Sequence, residues 1–119
     1  MSEAKTYTGG CHCGRVRYQA TLELGPVIAC NCSICSKKAH LLTFIGADQF
    51  QLLSGEDNLQ EYLFNKGRIH HLFCKTCGIQ SFARGTRPDG AQTIAVNARC
   101  LDDVDVSQLS ITNVDGKNF

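Results

Sequence analysis

Residues 14–22 read GRVRYQATL. Val16, Tyr18, Ala20 and Leu22 fall on one side of an extended chain, with polar residues between them. That period of two is the signature of a half-buried strand. Outward from it, short runs of the same kind recur: VIACN (27–31), HLLTFIG (40–46), FQLLSG (50–55), NLQEYLFN (58–65), IHHLFC (69–74), IQSFAR (79–84) and AQTIAVNAR (91–99). Turn-forming clusters such as GED, NKG and RPDG separate them. Only SICSKK and LDDVD suit short helices. Many short strands at regular spacing predict an all-β domain of antiparallel strands, a sandwich or a barrel-like sheet. At 119 residues the chain suits one domain, with a core over about 7–112 and a loosely held tail over 113–119 in which Phe119 could dock.

The charge balance narrows the function. A net charge of +1 gives no strong field toward nucleic acid or an anionic membrane. The first ten residues, MSEAKTYTGG, contain no apolar run, which argues against a signal peptide. No stretch approaches the roughly 20 apolar residues of a spanning helix. These features place the protein in the cytoplasm, where thiols stay reduced.

That placement changes how the eight cysteines are read. They fall as CHC (11–13), CNCSIC (30–35), CKTC (74–77) and a lone Cys100. The C-x-C pairs are too close for an unstrained disulfide. Thiolates converging on one point are what a metal needs. A closed structural zinc takes four protein ligands. Cys11, Cys13, Cys74 and Cys77 form two remote pairs, each followed by a glycine that permits a tight turn, and they suit such a site. Cys30, Cys32 and Cys35 then remain as three ligands from one loop, the pattern of a zinc with an exchangeable fourth position. Three alternatives stand beside this: Cys100 closing the second site, a metal-free redox trio, and an iron–sulfur cluster.

Together GGCHCGRVRY (9–18), CNCSICSKK (30–38), FCKTCGIQSF (73–82) and VNARCLD (96–102) resemble the glutathione-dependent formaldehyde-activating enzyme family, which includes centromere protein V. The resemblance spans residues 7–102, and seven cysteines fall on the family pattern. It implies a zinc-containing β fold of short antiparallel strands. It also implies a structural zinc on Cys11, Cys13, Cys74 and Cys77 and a second, catalytic zinc on Cys30, Cys32 and Cys35. The implied activity is that of a carbon–sulfur lyase, condensing formaldehyde with glutathione to S-hydroxymethylglutathione in the founding enzyme. The alternative reading is a zinc-binding interaction module without catalysis.

An anionic thiol such as glutathione calls for cations, and Lys37, Lys38, Arg84, Arg87 and Arg99 are the candidates near the motifs. His12 lies between two ligands and is expected to point away from the metal. His40 follows the triple-cysteine loop and is the best histidine candidate near the open site. One of His70 and His71 should face inward and could shuttle a proton. Phe44, Phe73 and Phe82 are read as core, and Asn97 as a turn support or pocket residue. A homodimer would help a short chain complete a pocket, but no residue pattern demands one.

Overall fold

The computed structural model describes residues 4–63 and 69–115. Ten strands follow in order: β1 (Lys5–Gly10), β2 (Arg17–Leu22), β3 (Val27–Cys30), β4 (Leu42–Gly46), β5 (Phe50–Ser54), β6 (Leu59–Tyr62), β7 (Ile69–Cys74), β8 (Phe82–Thr86), β9 (Gln92–Asn97) and β10 (Ile111–Val114). One four-residue helix, α1 (Cys35–Lys38), interrupts them after β3. The expected turn at NKG and the expected docking of Phe119 lie outside the described residues.

The strands form two sheets, one of three strands in the order β1-β2-β5 and one of seven in the order β10-β3-β4-β9-β8-β7-β6. The alternation in β2 does what its period requires. Val16, Tyr18, Ala20 and Leu22 are all buried, and they belong to the same core as Phe82, Ile94 and Val96 of the larger sheet. Three rings join the sheets: Tyr18 stacks on Phe50 at 5.2 Å, and Phe50 meets Phe82 at 4.7 Å. Such pairs add to what burial of their area contributes.

Two strands depart from the expected reading. β1 carries Thr, Tyr and Gly rather than an apolar run, because it sits at the edge of the small sheet and pairs only with β2. β10 reaches Val114, into the stretch read as a tail, and pairs parallel with β3 rather than antiparallel. It arrives at the sheet edge after the whole intervening chain, so no tight hairpin dictates its direction. The short helical piece forms as α1, whereas LDDVD is flanked by single 3-10 turns at Ala98–Cys100 and Val106–Gln108.

The Asp102 carboxylate ties the small sheet to the loop after β9. It accepts from Thr8 Oγ1 at 2.7 Å and forms an ion pair with Arg17. The Arg17 hydrogen bond, then that of Thr8, holds Asp102 below the ordinary carboxylate range.

Candidate metal centres and the cleft

Two cysteine clusters form, each with its sulfurs within 4.8 Å of one another. The first unites Cys11 and Cys13, in the turn after β1, with Cys74 at the end of β7 and Cys77 in the turn beyond it. Cys11–Cys13 and Cys13–Cys74 sulfur separations are both 3.6 Å. A tetrahedron with metal–sulfur bonds of about 2.3 Å has edges of about 3.8 Å, so the sulfurs stand near the spacing that zinc imposes. The glycines that follow each pair do what their position suggested: Gly14 and Gly78 have φ of 84° and 80°, a left-handed turn that suits a residue without Cβ.

Amide and side-chain donors point at these sulfurs. Val16 N donates to Cys11 Sγ at 3.3 Å, Asn58 Nδ2 to Cys74 Sγ at 3.3 Å and Thr76 N to Cys74 Sγ at 3.4 Å. At Cys74 burial acts to raise the thiol, but the amides of Cys77 and Thr76 and the neighbouring sulfurs overcome it and bring the value down to about 6. At Cys11 burial prevails and pushes the thiol up to about 11. His12 is exposed and stands outside the cluster, as its place between two ligands predicts.

The second cluster is Cys30, Cys32 and Cys35, all half-buried. Cys30 ends β3, and the loop is fixed at its start by Asn31, whose amide donates to Val114 O at 3.1 Å. It then winds into α1, with Ser36 N donating to Cys32 O at 2.9 Å and Lys38 N to Ile34 O at 3.0 Å. Burial acts to raise Cys32, but the Cys35 amide and the flanking sulfurs bring it below the ordinary thiol value. Burial pushes Cys35 up to about 12. No histidine, carboxylate or further cysteine among the described residues joins this trio at metal-ligand spacing. Cys100 lies outside it, with its sulfur 3.8 Å from Gln80 O. The donor set is soft and all-sulfur in both clusters, which suits zinc.

The trio lines one end of a cleft of about 1110 Å³ on the outer face of the seven-stranded sheet. His40, His71 and Gln80 line the same cleft and are buried. The Nε2 of His40 has no hydrogen-bond partner, which is costly for a buried polar atom. Its backbone is held on both sides: Arg99 Nε donates to Ala39 O at 3.3 Å, and Leu41 N donates to Asn97 Oδ1 at 3.4 Å. Ala39 closes α1 in a left-handed conformation, φ 58°. Burial, then Lys38 and His71, push His40 down to about 4, so the ring is neutral near pH 7.

Gln80 was not visible as a site residue in the sequence. Its Oε1 accepts from Lys38 Nζ at 2.8 Å, and its Nε2 lies 3.4 Å from His71 Nδ1. The only signal was a polar residue two places after the Cys77-Gly78 turn. Of the histidine pair, His71 is buried in the cleft and His70 pairs with Glu61 at 2.9 Å on the other face. Asn97 supports the turn after β9, accepting from Arg99 N at 3.2 Å and donating to Gln80 O at 3.1 Å.

Among the expected cations, Arg87 lines the cleft and is exposed, Arg84 lies over the Phe82 ring at 5.9 Å on the face opposite the cleft, Lys38 sits over the Phe73 ring at 5.2 Å, and Lys37 is exposed. Phe82 is core, as expected. Phe44 is not: it is 51% exposed and lines the cleft, because its parity in β4 places it on the outer face, opposite the buried Ile45.

Fold and site together define a two-sheet β protein with two cysteine clusters capable of coordinating metal. A model of the family described as glutathione-dependent formaldehyde-activating enzyme matches residues 6–113. The chain belongs to this family, whose members act as carbon–sulfur lyases. A crystal structure of a Rhodobacter sphaeroides protein is similar to it, with 27% sequence identity, a TM-score of 0.75, and coverage of 88% of this chain and 99% of that one. No helix among the described residues is long and apolar enough to cross a membrane.

Proposed function

We propose that this protein, a single-domain zinc-containing sandwich of the cytoplasm, makes or breaks a carbon–sulfur bond in a small thiol adduct, with glutathione as the thiol. Cys11, Cys13, Cys74 and Cys77 hold a structural zinc; Cys30, Cys32 and Cys35 hold a second one. A zinc on three thiolates carries net −1, which disfavours generating hydroxide and suits a soft thiol as the exchangeable fourth ligand, activated as thiolate. The observation that carries this reading is the trio: three convergent sulfurs without a fourth described ligand, at the end of a cleft.

In the forward direction a sulfur electron pair forms the S–C bond to an aldehyde carbon, the C=O π pair moves onto oxygen, and the proton lost by the thiol ends on that oxygen. The product, R–S–CH(OH)–R′, contains every atom of thiol and aldehyde. His40 is the residue placed to handle the proton, since its neutral Nε2 is buried in the cleft without a partner. Gln80, braced by Lys38, orients His71 beside it. Arg87 stands at the exposed rim, where a glutathione carboxylate can meet it without losing its water.

Cobalt substitution tests the open position. Protein loaded with cobalt should give tetrahedral cobalt–thiolate bands, and glutathione should shift the part that Cys32→Ser removes. A spectrum unmoved at any glutathione concentration would sink the enzymatic reading and leave a zinc-binding module.

A further inference from the structure

The floor of the cleft carries information about the carbon side of the substrate. Register across the seven-stranded sheet places Phe44, Ala95, Ala83 and His71 in one row on β4, β9, β8 and β7. The next row on the same face is Gly46, Thr93, Gly85 and Ile69. Central strands β9 and β8 thus offer small side chains, while the flanking strands raise Phe44 on one side and His71 and Ile69 on the other. The result is a trough whose walls include two large apolar residues held open to solvent: Phe44 is 51% and Ile69 53% exposed. Asp48, Gln49, Arg87 and Gln92 line the far end, the floor between is apolar, and the trio, His40 and Gln80 lie at the near end. The strands run from there, at Leu42 and Asn97, to Gly46 and Thr93, four residues or roughly 13 Å away.

A one-carbon fragment does not fill this space. The cleft volume of about 1110 Å³ lies just above the usual range for drug-sized ligands. Glutathione does not suit the floor of the trough: its charged groups need hydrogen-bonding partners, which alanine, glycine, phenylalanine and isoleucine side chains lack, and find them only at the rim, at Arg87. An apolar chain does suit it, and it would enter with its reactive carbon at the near end.

We propose that the trough over Ala83 and Ala95 binds the apolar carbon chain of an aldehyde-derived thiol adduct several carbons long, so that the substrate is a hydrophobic thiohemiacetal rather than the formaldehyde adduct. The proposal rests on the trio and His40 being the reacting end. Phe44 and Ile69 are specificity determinants in it, not groups that touch the reacting atoms.

S-alkylglutathiones test the trough without requiring turnover. The chain has no tryptophan, so backbone amide NMR shifts of zinc-loaded protein serve as the readout. Across S-methyl-, S-butyl- and S-hexylglutathione the Kd should fall about fourfold for each added methylene, with shifts centred on Ala83, Thr93 and Ala95. Ala95→Phe, which fills the floor, should flatten that series; Phe44→Ala, which lowers a wall, should weaken S-hexylglutathione most and serves if Ala95→Phe fails to fold. Equal Kd along the series overturns the proposal. So does a self-associated protein, seen by sedimentation, whose trough amides do not respond to any member.

A second arm follows glutathione with formaldehyde, butanal and hexanal under the same conditions. Turnover of formaldehyde with a flat binding series removes the trough and leaves the carbon–sulfur chemistry standing. A steep binding series without turnover of any aldehyde keeps the trough and removes the chemistry.

Discussion

The two cysteine clusters use the same atom and differ in everything around it. The four-sulfur cluster joins segments 61 residues apart, between Cys13 and Cys74, and two of its members, Cys11 and Cys74, belong to the hydrophobic core. Its sulfurs receive donors from Val16, Asn58 and Thr76, groups in three different parts of the chain. The trio comes from one loop and one turn of helix, is half-buried throughout, and opens on a cleft. Sequence separation and burial would turn a thiol set into a staple, since a metal held there would close a long loop and its binding energy would be folding energy. Locality and exposure would let a ligand exchange without the fold noticing.

The sharpest way to break this contrast is to remove one sulfur from each cluster. Cys74→Ser should unfold the protein. A structural zinc contributes on the order of 10 kcal/mol in small zinc domains, comparable to the whole stability of a domain. Circular dichroism and sedimentation check it. Cys32→Ser should keep the fold, drop bound zinc from two per chain to one, and lower carbon–sulfur turnover at least a hundredfold. Exchanged phenotypes would invert the assignment of the clusters. A strong chelator should likewise strip the trio first, with activity vanishing before the circular dichroism signal changes.

Smaller effects sharpen the local picture. His40 is neutral in the folded state, with its value pushed down to about 4 against an ordinary 6.5. The unfolded chain therefore binds more protons between these values, and the corresponding stability is present above pH 6.5 and lost as pH falls toward 4. Thermal melts from pH 7.5 to pH 5 should show this slope, and His40→Gln should flatten it. Smaller again is Ala39→Gly. Relief of the left-handed conformation, less the added freedom of glycine in the unfolded chain, should stabilise the fold by about 0.5 kcal/mol in denaturant melts. Smallest is the half-buried Arg17–Asp102 pair. Asp102 is held low, so its contribution is present above the unfolded carboxylate value and disappears as pH falls through the folded one; Asp102→Asn should cost below about 1 kcal/mol in denaturant melts.

Much of the fold was legible because its strands are half-buried. A strand with one wet face writes its burial as alternation, and β2 is the clearest case. β1 and β10 were illegible for the same reason reversed: as edge strands with mostly exposed side chains, they carry no apolar period. Phe44 shows the limit of reading hydrophobicity as core. An aromatic on a strand is apolar whether it faces the other sheet or a ligand cleft, and only parity against Ile45 in the assembled sheet separates the two. Gln80 shows another limit, since its role depends on Lys38 from α1 and His71 from β7 arriving beside it.

The sequence by itself determined the thiol inventory, its division into remote pairs and a local trio, and the alternation that builds the core. Each of these is a matter of spacing along the chain, which the covalent structure carries unaltered. Only the tertiary structure decided that the trio opens on a cleft, that Cys100 stays apart from it, that the Nε2 of His40 is buried there without a partner, and that two alanines form the floor between Phe44 and His71. Those facts depend on register and on which face of a sheet is covered, and both are settled by packing between segments far apart in sequence.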